Sequence, residues 1–247
     1  MPSYDFHGPR LHVDAPLAAG AEVDLDRDQA NYLGNVLRLG QGSRLLVFNG
    51  RDGEWQATIA GRKRPERLHV VSQVRLQDSL PDIHYVFAPL KHARLDYMAQ
   101  KAVEMGAAML QPVITRHTQT SRLNLDRVRA NVVEAAEQCG ILSLATVAEP
   151  LPLDGWLGAR DAGRLLVFCD EAAEVANPLT ALGKAATTGG IDVLIGPEGG
   201  FSIDERDNLL KQSNTLRLPL GPRILRADTA AVAALALVQA ALGDWRG

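Results

Sequence analysis

The densest chemical signal in the chain is Val193-Leu194-Ile195-Gly196-Pro197-Glu198-Gly199-Gly200-Phe201-Ser202-Ile203-Asp204-Glu205. An apolar run suited to a buried strand leads straight into three glycines within five residues. Such a turn lets backbone approach a ligand without Cβ interference, and open parallel sheets bind ligands at these carboxyl ends. Ser202, with Glu205 three residues on, reads as a capping box that opens a helix over residues 203–212. The loop is not a Walker loop, since no Gly-Lys-Ser/Thr follows, and it lacks the Gly-x-Gly-x-x-Gly spacing of dinucleotide folds. A nucleoside without a triphosphate fits this pattern better.

A second motif is Leu216-Arg217-Leu218-Pro219-Leu220-Gly221-Pro222-Arg223-Ile224-Leu225-Arg226-Ala227-Asp228-Thr229-Ala230. Prolines 219 and 222 around Gly221 forbid a regular strand or helix, so this apolar stretch must be an ordered, irregular loop. Its backbone N–H and C=O groups are free to bind something flat and polar, such as an adenine ring. Arg226 stands beside a helix start and needs a partner or a job. The histidines do not suggest catalysis: His92, between Lys91 and Arg94, and His117, after Arg116, are scattered and read as surface residues. Cys139 and Cys169 lack metal-ligand spacing, so neither a zinc site nor a disulfide framework is expected, and both read as buried small hydrophobes.

The elements that must position these motifs follow from periodicity. After residue 82, strands alternate with helices, the signature of a mostly parallel sheet in an α/β domain. Strands are expected at 83–88, 109–114, 165–169, 192–195 and 216–218. Helices are expected at 95–105, ended by Gly106, at 124–139, ended by Gly140, and at 227–242. Leu125, Val128, Val132 and Ala136 share one face of the second of these. The N-terminal region reads differently. A short helix over 28–37 precedes strands at 44–48, 54–60 and 68–74, with Asn49-Gly50 and Asp52-Gly53 at the first turn, so a small antiparallel barrel or sheet is expected. The polar, Pro-containing segment 77–82 is the best linker, which divides the chain into domains 1–76 and 77–247.

Composition sets the outer bounds. With 247 residues, 46% hydrophobic and 22% charged, the chain has material for a real core and does not read as disordered. No apolar run reaches the ~18 residues of a membrane span, and residues 1–5 lack the start of a signal peptide, so a cytoplasmic location is expected. A net charge of −3 argues against a nucleic-acid partner. Its distribution argues the other way, with +1 over residues 1–75 and −4 over the remainder. Arg62, Lys63, Arg64 and Arg67 stand against Glu66 alone, a candidate RNA-facing hairpin tip or an ordinary solvated turn.

Together the two loop motifs resemble the SPOUT methyltransferases, and more closely the RsmE family, which methylates N3 of a uridine in small-subunit (16S) ribosomal RNA. The likeness extends to Asn31-Tyr32-Leu33-Gly34-Asn35-Val36-Leu37-Arg38, to Phe48-Asn49-Gly50, to Lys101-Ala102-Val103-Glu104-Met105-Gly106 and to Glu134-Ala135-Ala136-Glu137-Gln138-Cys139-Gly140. Two departures stand out: Ile141 where many members have Arg, and Asp228 where the family usually has Glu.

The resemblance implies a PUA-like β-barrel for RNA, followed by a SPOUT α/β domain with a deep trefoil knot. It also implies a homodimer, S-adenosyl-L-methionine (SAM) as cofactor, and ribosomal RNA or the assembled small subunit as substrate, with no metal and no membrane. Leu194, Gly196, Glu198, Gly199, Leu218, Leu220, Gly221, Ile224, Leu225 and Thr229 would then line the SAM pocket. Arg226 would stabilise charge on the uracil oxygens. Glu198, or with less reach Asp228, would help with the proton. Arg10, Asn35 and Arg38 are the RNA-contact candidates, and Lys91, after a strand end, could touch RNA or cofactor. Two rival classes remain open at this point: a non-catalytic RNA-binding or ribosome-assembly module, and a nucleotide-dependent enzyme using residues 196–200 for phosphate.

Overall fold

The computed structural model describes residues 8–61, 64–119, 122–174, 177–185 and 189–246. Residues 1–5, Arg62, Lys63 and the side chain of His92 lie outside the described parts. The chain forms two compact units, Met1–Ser79 with Ala136–Leu144, and Leu80–Ala135 with Ala145–Gly247.

The first unit carries β1 (Arg10–His12), β2 (Glu22–Asp24), α1 (Arg27–Asn31), β3 (Arg44–Phe48), β4 (Glu54–Ala60) and β5 (Arg67–Arg75). Its sheet runs β1-β3-β4-β5-β2. The three strands expected from alternation are there and pair antiparallel. Gly50 and Gly53 adopt φ of +79° and +76° in the β3–β4 connection, where a side chain would be strained. The sequence did not reveal β1 and β2, three residues each and too short to show a period, nor that β1 pairs parallel to β3. Val47, Leu68, Val70 and Leu33 fill the core of this unit. A break after residue 76 treats the domains as consecutive pieces of chain. In the structure Ala136–Leu144 belongs with the N-terminal unit, because Phe48 buries against Ala136 and Leu142.

The helix expected over 28–37 is there in two windings. Asp26 and Gln29 form a capping box for α1, and residues Tyr32–Val36 then continue as a π-helix. Arg38, just beyond it, sits at φ +56°.

The second unit holds β6 (Ile83–Phe87), α2 (His92–Glu104), β7 (Met109–Ile114), α3 (Leu125–Cys139, its end from Ala136 belonging to the first unit), β8 (Thr146–Val147), β9 (Leu151–Pro152), α4 (Leu153–Ala159), β10 (Leu165–Phe168), α5 (Pro178–Gly183), β11 (Ile191–Ile195), α6 (Ile203–Leu210), β12 (Thr215–Arg217) and α7 (Ala227–Leu242). The sheet order is β12-β10-β11-β6-β7-β8, with β9 also on β7, and every pairing is parallel. Strands β10 and β11 are buried along their whole length, as the apolar runs Leu165–Phe168 and Val193–Ile195 require, with Asp192 the polar exception in β11. Ala230, Ala231, Ala234, Leu235 and Val238 form the inner face of α7, and the buried Gln239 donates to the Met105 carbonyl at 2.7 Å to tie α7 to the end of α2. Helix α5 carries a start signal in Asn177, whose side chain accepts from the Leu179 N–H, followed by Pro178.

At the amino ends of β6 and β11 sits a charged cluster. The buried Asp192 carboxylate accepts from Arg164 Nε at 2.7 Å and lies 3.2 Å from His84 Nδ1 and 3.4 Å from Arg160 Nε. Burial raises the pKa of Asp192, but the His84 and Arg164 hydrogen bonds outweigh it and hold the carboxyl below its ordinary range.

Candidate active site

Strands β10, β11 and β12 end side by side, and each runs into a segment that walls a cleft of about 430 Å³. From β10 come Phe168, Cys169 and Asp170; from β11, Gly196, Pro197, Glu198, Gly200 and Phe201; from β12, residues 218–226. The volume lies in the range of small-ligand sites, and the position at carboxyl ends of parallel strands is where such folds bind ligands.

The Gly-rich loop is shaped by close approach. A Cβ on Gly196 would fall 2.6 Å from Cε2 of Phe201, so only glycine lets that ring fold back over the strand end. Phe201 in turn meets Phe168 edge to face, with centroids 5.4 Å apart. Gly200, at φ +67°, closes the turn by donating its N–H to the Pro197 carbonyl at 2.9 Å. The capping box that starts α6 is formed as expected: Glu205 accepts from the Ser202 N–H at 2.8 Å and Ser202 accepts from the Glu205 N–H at 3.3 Å. Opposite, residues 218–226 have no regular structure, and Leu218 donates its N–H to the Phe168 carbonyl at 2.8 Å, which ties the irregular loop to β10.

The charges of the cleft fall into fixed and open sets. Asp170 is buried and accepts from Arg206 Nη2 at 2.9 Å, Arg217 Nε at 2.8 Å and the Ala172 N–H at 3.1 Å. Burial raises its pKa, yet the hydrogen bonds from Arg206, Ala172 and Arg217 prevail and keep it low and ionised. Glu198 pairs with Arg94 at 3.1 Å. Burial pushes the Cys169 thiol up to about 12, so it is neutral at physiological pH and no nucleophile. Arg226 is the N-cap residue of α7, exposed, with no side-chain capping bond. Its guanidinium makes no ion pair with any described residue.

Of the residues expected to form the pocket, Gly196, Glu198, Leu218, Leu220, Gly221, Ile224, Leu225 and Arg226 line this cleft. Three lie off its wall. Leu194 is fully buried among Val86, Val113 and Leu166, because its place within β11 turns it into the core. Gly199 faces away, its carbonyl 3.0 Å from His117 Nδ1. Thr229 is exposed in the first turn of α7, where its N–H is taken by Asp228 at 2.9 Å. The RNA-contact candidates also divide. Asn35 and Arg38 are exposed on and just after the π-helix. Arg10 is a correction: it is 5% exposed and paired with the wholly buried Glu54 at 3.0 Å, so a buried carboxylate and not RNA takes its charge. The expectation for the cysteines also fails in part, since Cys139 is exposed.

Sequence reasoning missed Arg94, Asp170, Arg206, Phe168 and Phe201. For Asp170 a signal existed, because it directly follows a strand end. For Arg94 and Arg206 there was none, since each is known only by the carboxylate it meets. Lys91, at the N-cap of α2, is exposed. Among the described residues, no three His, Cys, Asp or Glu side chains are grouped to hold a metal, and no helix is long and apolar enough to cross a membrane.

Comparison with known proteins agrees with this geometry. A family model for the RNA methyltransferase domain matches residues 77–239, and one for the RNA methyltransferase PUA domain matches residues 25–70. A curated ribosomal RNA small subunit methyltransferase E from Rickettsia conorii is 29% identical over 93% of this chain and 94% of its own. Its namesake from Synechocystis is 32% identical over 94% of this chain and 78% of its own. The crystal structure of the Neisseria gonorrhoeae enzyme of that name, bound to S-adenosyl methionine, superposes with a TM-score of 0.83 at 26% identity, covering 94% of this chain and 97% of that one. The chain belongs to the RNA methyltransferase family whose members are named ribosomal RNA small subunit methyltransferase E, the RsmE family that its own motifs resemble.

Proposed function

We propose that the protein transfers the methyl group of SAM to N3 of a uridine in 16S ribosomal RNA. The observation that carries this is the cleft itself. A glycine turn and an irregular, backbone-rich loop face one another at the carboxyl ends of three parallel strands, and Arg226 stands at the wall with no described counter-charge. The residues fit the cofactor: Phe201, Leu220 and Leu225 offer apolar surface for a nucleoside base, and Glu171 and Glu198 offer carboxylates toward a cationic sulfonium.

Bound there, SAM supplies an electrophilic methyl whose carbon–sulfur bond breaks as the bond to N3 forms. The remaining work belongs to this chain. Gly196, Leu218, Leu220, Gly221, Ile224 and Leu225 hold the methyl donor, so that transfer becomes a matter of alignment. Arg226 stabilises the negative charge that appears on the uracil oxygens when N3 loses its proton, as an oxyanion site does. Glu198 is the carboxylate proposed to take that proton, and its pairing with Arg94 holds it at the cleft wall. Because N3–H is occupied in a Watson–Crick pair, the target uridine must be unpaired or flipped out.

The same reading assigns residues 1–76 to RNA binding through Asn35 and Arg38, and residues 77–247 to catalysis within the knotted fold of the family. It places the protein in the cytoplasm, on ribosomal RNA or the small subunit, as a homodimer. Calorimetric titration with SAM and mapping of uridine N3 methylation in cells lacking the protein test the assignment. Saturable binding with loss of one methylated uridine supports it, and no binding or an unchanged methylation map refutes it.

A further inference from the structure

The end of β7 runs into a tight turn at residues 115–118. Thr115 donates its N–H to Thr118 Oγ1 at 2.9 Å, and the two hydroxyl oxygens lie 2.9 Å apart. This turn grips the Gly-rich loop with residues that are not part of the cleft wall. Arg116 donates its backbone N–H to Glu205 Oε1 at 2.7 Å, while the other oxygen of Glu205 caps α6 through Ser202. His117 Nδ1 lies 3.0 Å from both the Gly199 and the Gly200 carbonyl oxygens, and a Cβ on Gly199 would come within 3.2 Å of His117 Cβ.

Carbonyl oxygens only accept, so an Nδ1 between two of them must carry the proton. The bond therefore selects the Nδ1–H form of the ring. It also fixes a direction: within a planar trans peptide the C=O of one residue and the N–H of the next point opposite ways. Holding the Gly200 carbonyl toward His117 turns the Phe201 N–H away from it. Gly199 and Gly200 have no side chains to hold their own peptides, and glycine backbone is the least constrained. The bond from the Gly200 N–H to the Pro197 carbonyl holds the first of these peptides from within, and the external clamp adds a hold on the second.

We propose that His117 is a positioning residue for the cofactor site. Its Nδ1–H pins the Gly199 and Gly200 carbonyls and so sets the direction of the Phe201 N–H, at a residue of the cleft wall. This rests on the function proposed above and adds a residue outside the cleft wall to it.

The test uses the full-length protein, with SAM as the titrant. His117→Ala should raise the Kd for SAM about fivefold, the equilibrium weight of one hydrogen bond of about 1 kcal/mol. The rate at saturating SAM should stay within about twofold of wild type, as expected when the loss is in binding. His117→Asn, whose amide N–H can take the place of Nδ1–H, should restore the affinity, and the longer His117→Gln should not. A role in packing alone would not separate Asn from Gln. Nitrogen-15 NMR of the unsubstituted protein at pH 8 should show a pyrrole-type Nδ1 and a pyridine-type Nε2 for His117. That measurement tests the hydrogen bond on which the proposal stands even where a variant fails to fold. The opposite tautomer, an unchanged Kd in His117→Ala, or no rescue by Asn overturns the proposal. Failure of the wild type to bind SAM overturns the parent reading and this one with it, whereas wild-type binding with an indifferent His117→Ala overturns only this one.

Discussion

Gly196→Ala should damage the cofactor site through one ring. The new methyl would sit 2.6, 3.0 and 3.1 Å from Cε2, Cζ and Cδ2 of Phe201. Carbon atoms at rest lie about 3.5–4.0 Å apart, so the ring must move by roughly 1 Å. Phe201 cannot do this freely, because its other contact is the edge-to-face pair with Phe168, itself a buried member of the core. Overpacking of this kind costs about 1–3 kcal/mol, and loss of the aromatic pair adds about 0.5–1.5 kcal/mol if the ring swings out. Taking about 2 kcal/mol, the thermal midpoint should fall by about 4–8 °C. SAM affinity should fall by more than about tenfold, since the displaced ring lies on the cleft wall and 1.4 kcal/mol is a factor of ten. Thermal unfolding and calorimetry on Gly196→Ala, Phe201→Leu and the double variant read this directly. The double variant should recover part of both losses, because a smaller side chain makes room for the methyl, and contacting residues are coupled in such cycles. Wild-type affinity and midpoint in Gly196→Ala, or strict additivity in the cycle, would refute the reasoning.

Other outcomes follow from the same geometry. Arg226→Ala should lower methyl transfer by about 10²–10³ while SAM affinity in calorimetry stays within about twofold, and a variant with full turnover would remove its proposed role. Asp192 has a pKa depressed by His84 and Arg164 against the effect of burial, so its contribution is present above the unfolded carboxyl value of about 3.9 and is lost as pH falls through the lower folded value. Asp192→Asn should therefore cost about 3 kcal/mol at pH 7 and flatten the acid limb of stability below about pH 4 in denaturant titrations, whereas a parallel acid limb would count against the cluster. Iodoacetamide at pH 8 should modify the exposed Cys139 well before Cys169, whose thiol is held near 12, and peptide mass spectrometry would show equal labelling if that burial is wrong.

How much of this was legible in the sequence depended on whether the cause was local. The turn at Gly196 to Gly200, the Ser202 cap and the irregular loop after β12 are written in glycine, proline and capping residues, and each stands where those residues put it. The alternation of strands and helices gave the parallel sheet for the same reason. What escaped was set by partners distant in sequence. Arg10 reads as a surface cation until Glu54, 44 residues on, is found beside it. Asp170 reads as a strand-end carboxylate until Arg206 and Arg217 converge on it. His117 reads as a stray surface histidine until the fold brings Gly199 and Gly200, more than 80 residues later, to its ring. The π-helix at Tyr32–Val36 has no pattern distinct from an α-helix over five residues, and the pairing of β1 with β3 depends on three residues of chain.

The central claim is most directly tested by reconstituting the reaction. Purified protein would be incubated with SAM carrying an isotopically labelled methyl group and with small subunits or 16S ribosomal RNA from cells that lack this protein. The nucleosides would then be separated and identified by mass spectrometry. Label in 3-methyluridine from a single position, lost with Arg226→Ala, is the predicted result; label on another base or atom, or none at all, would contradict it.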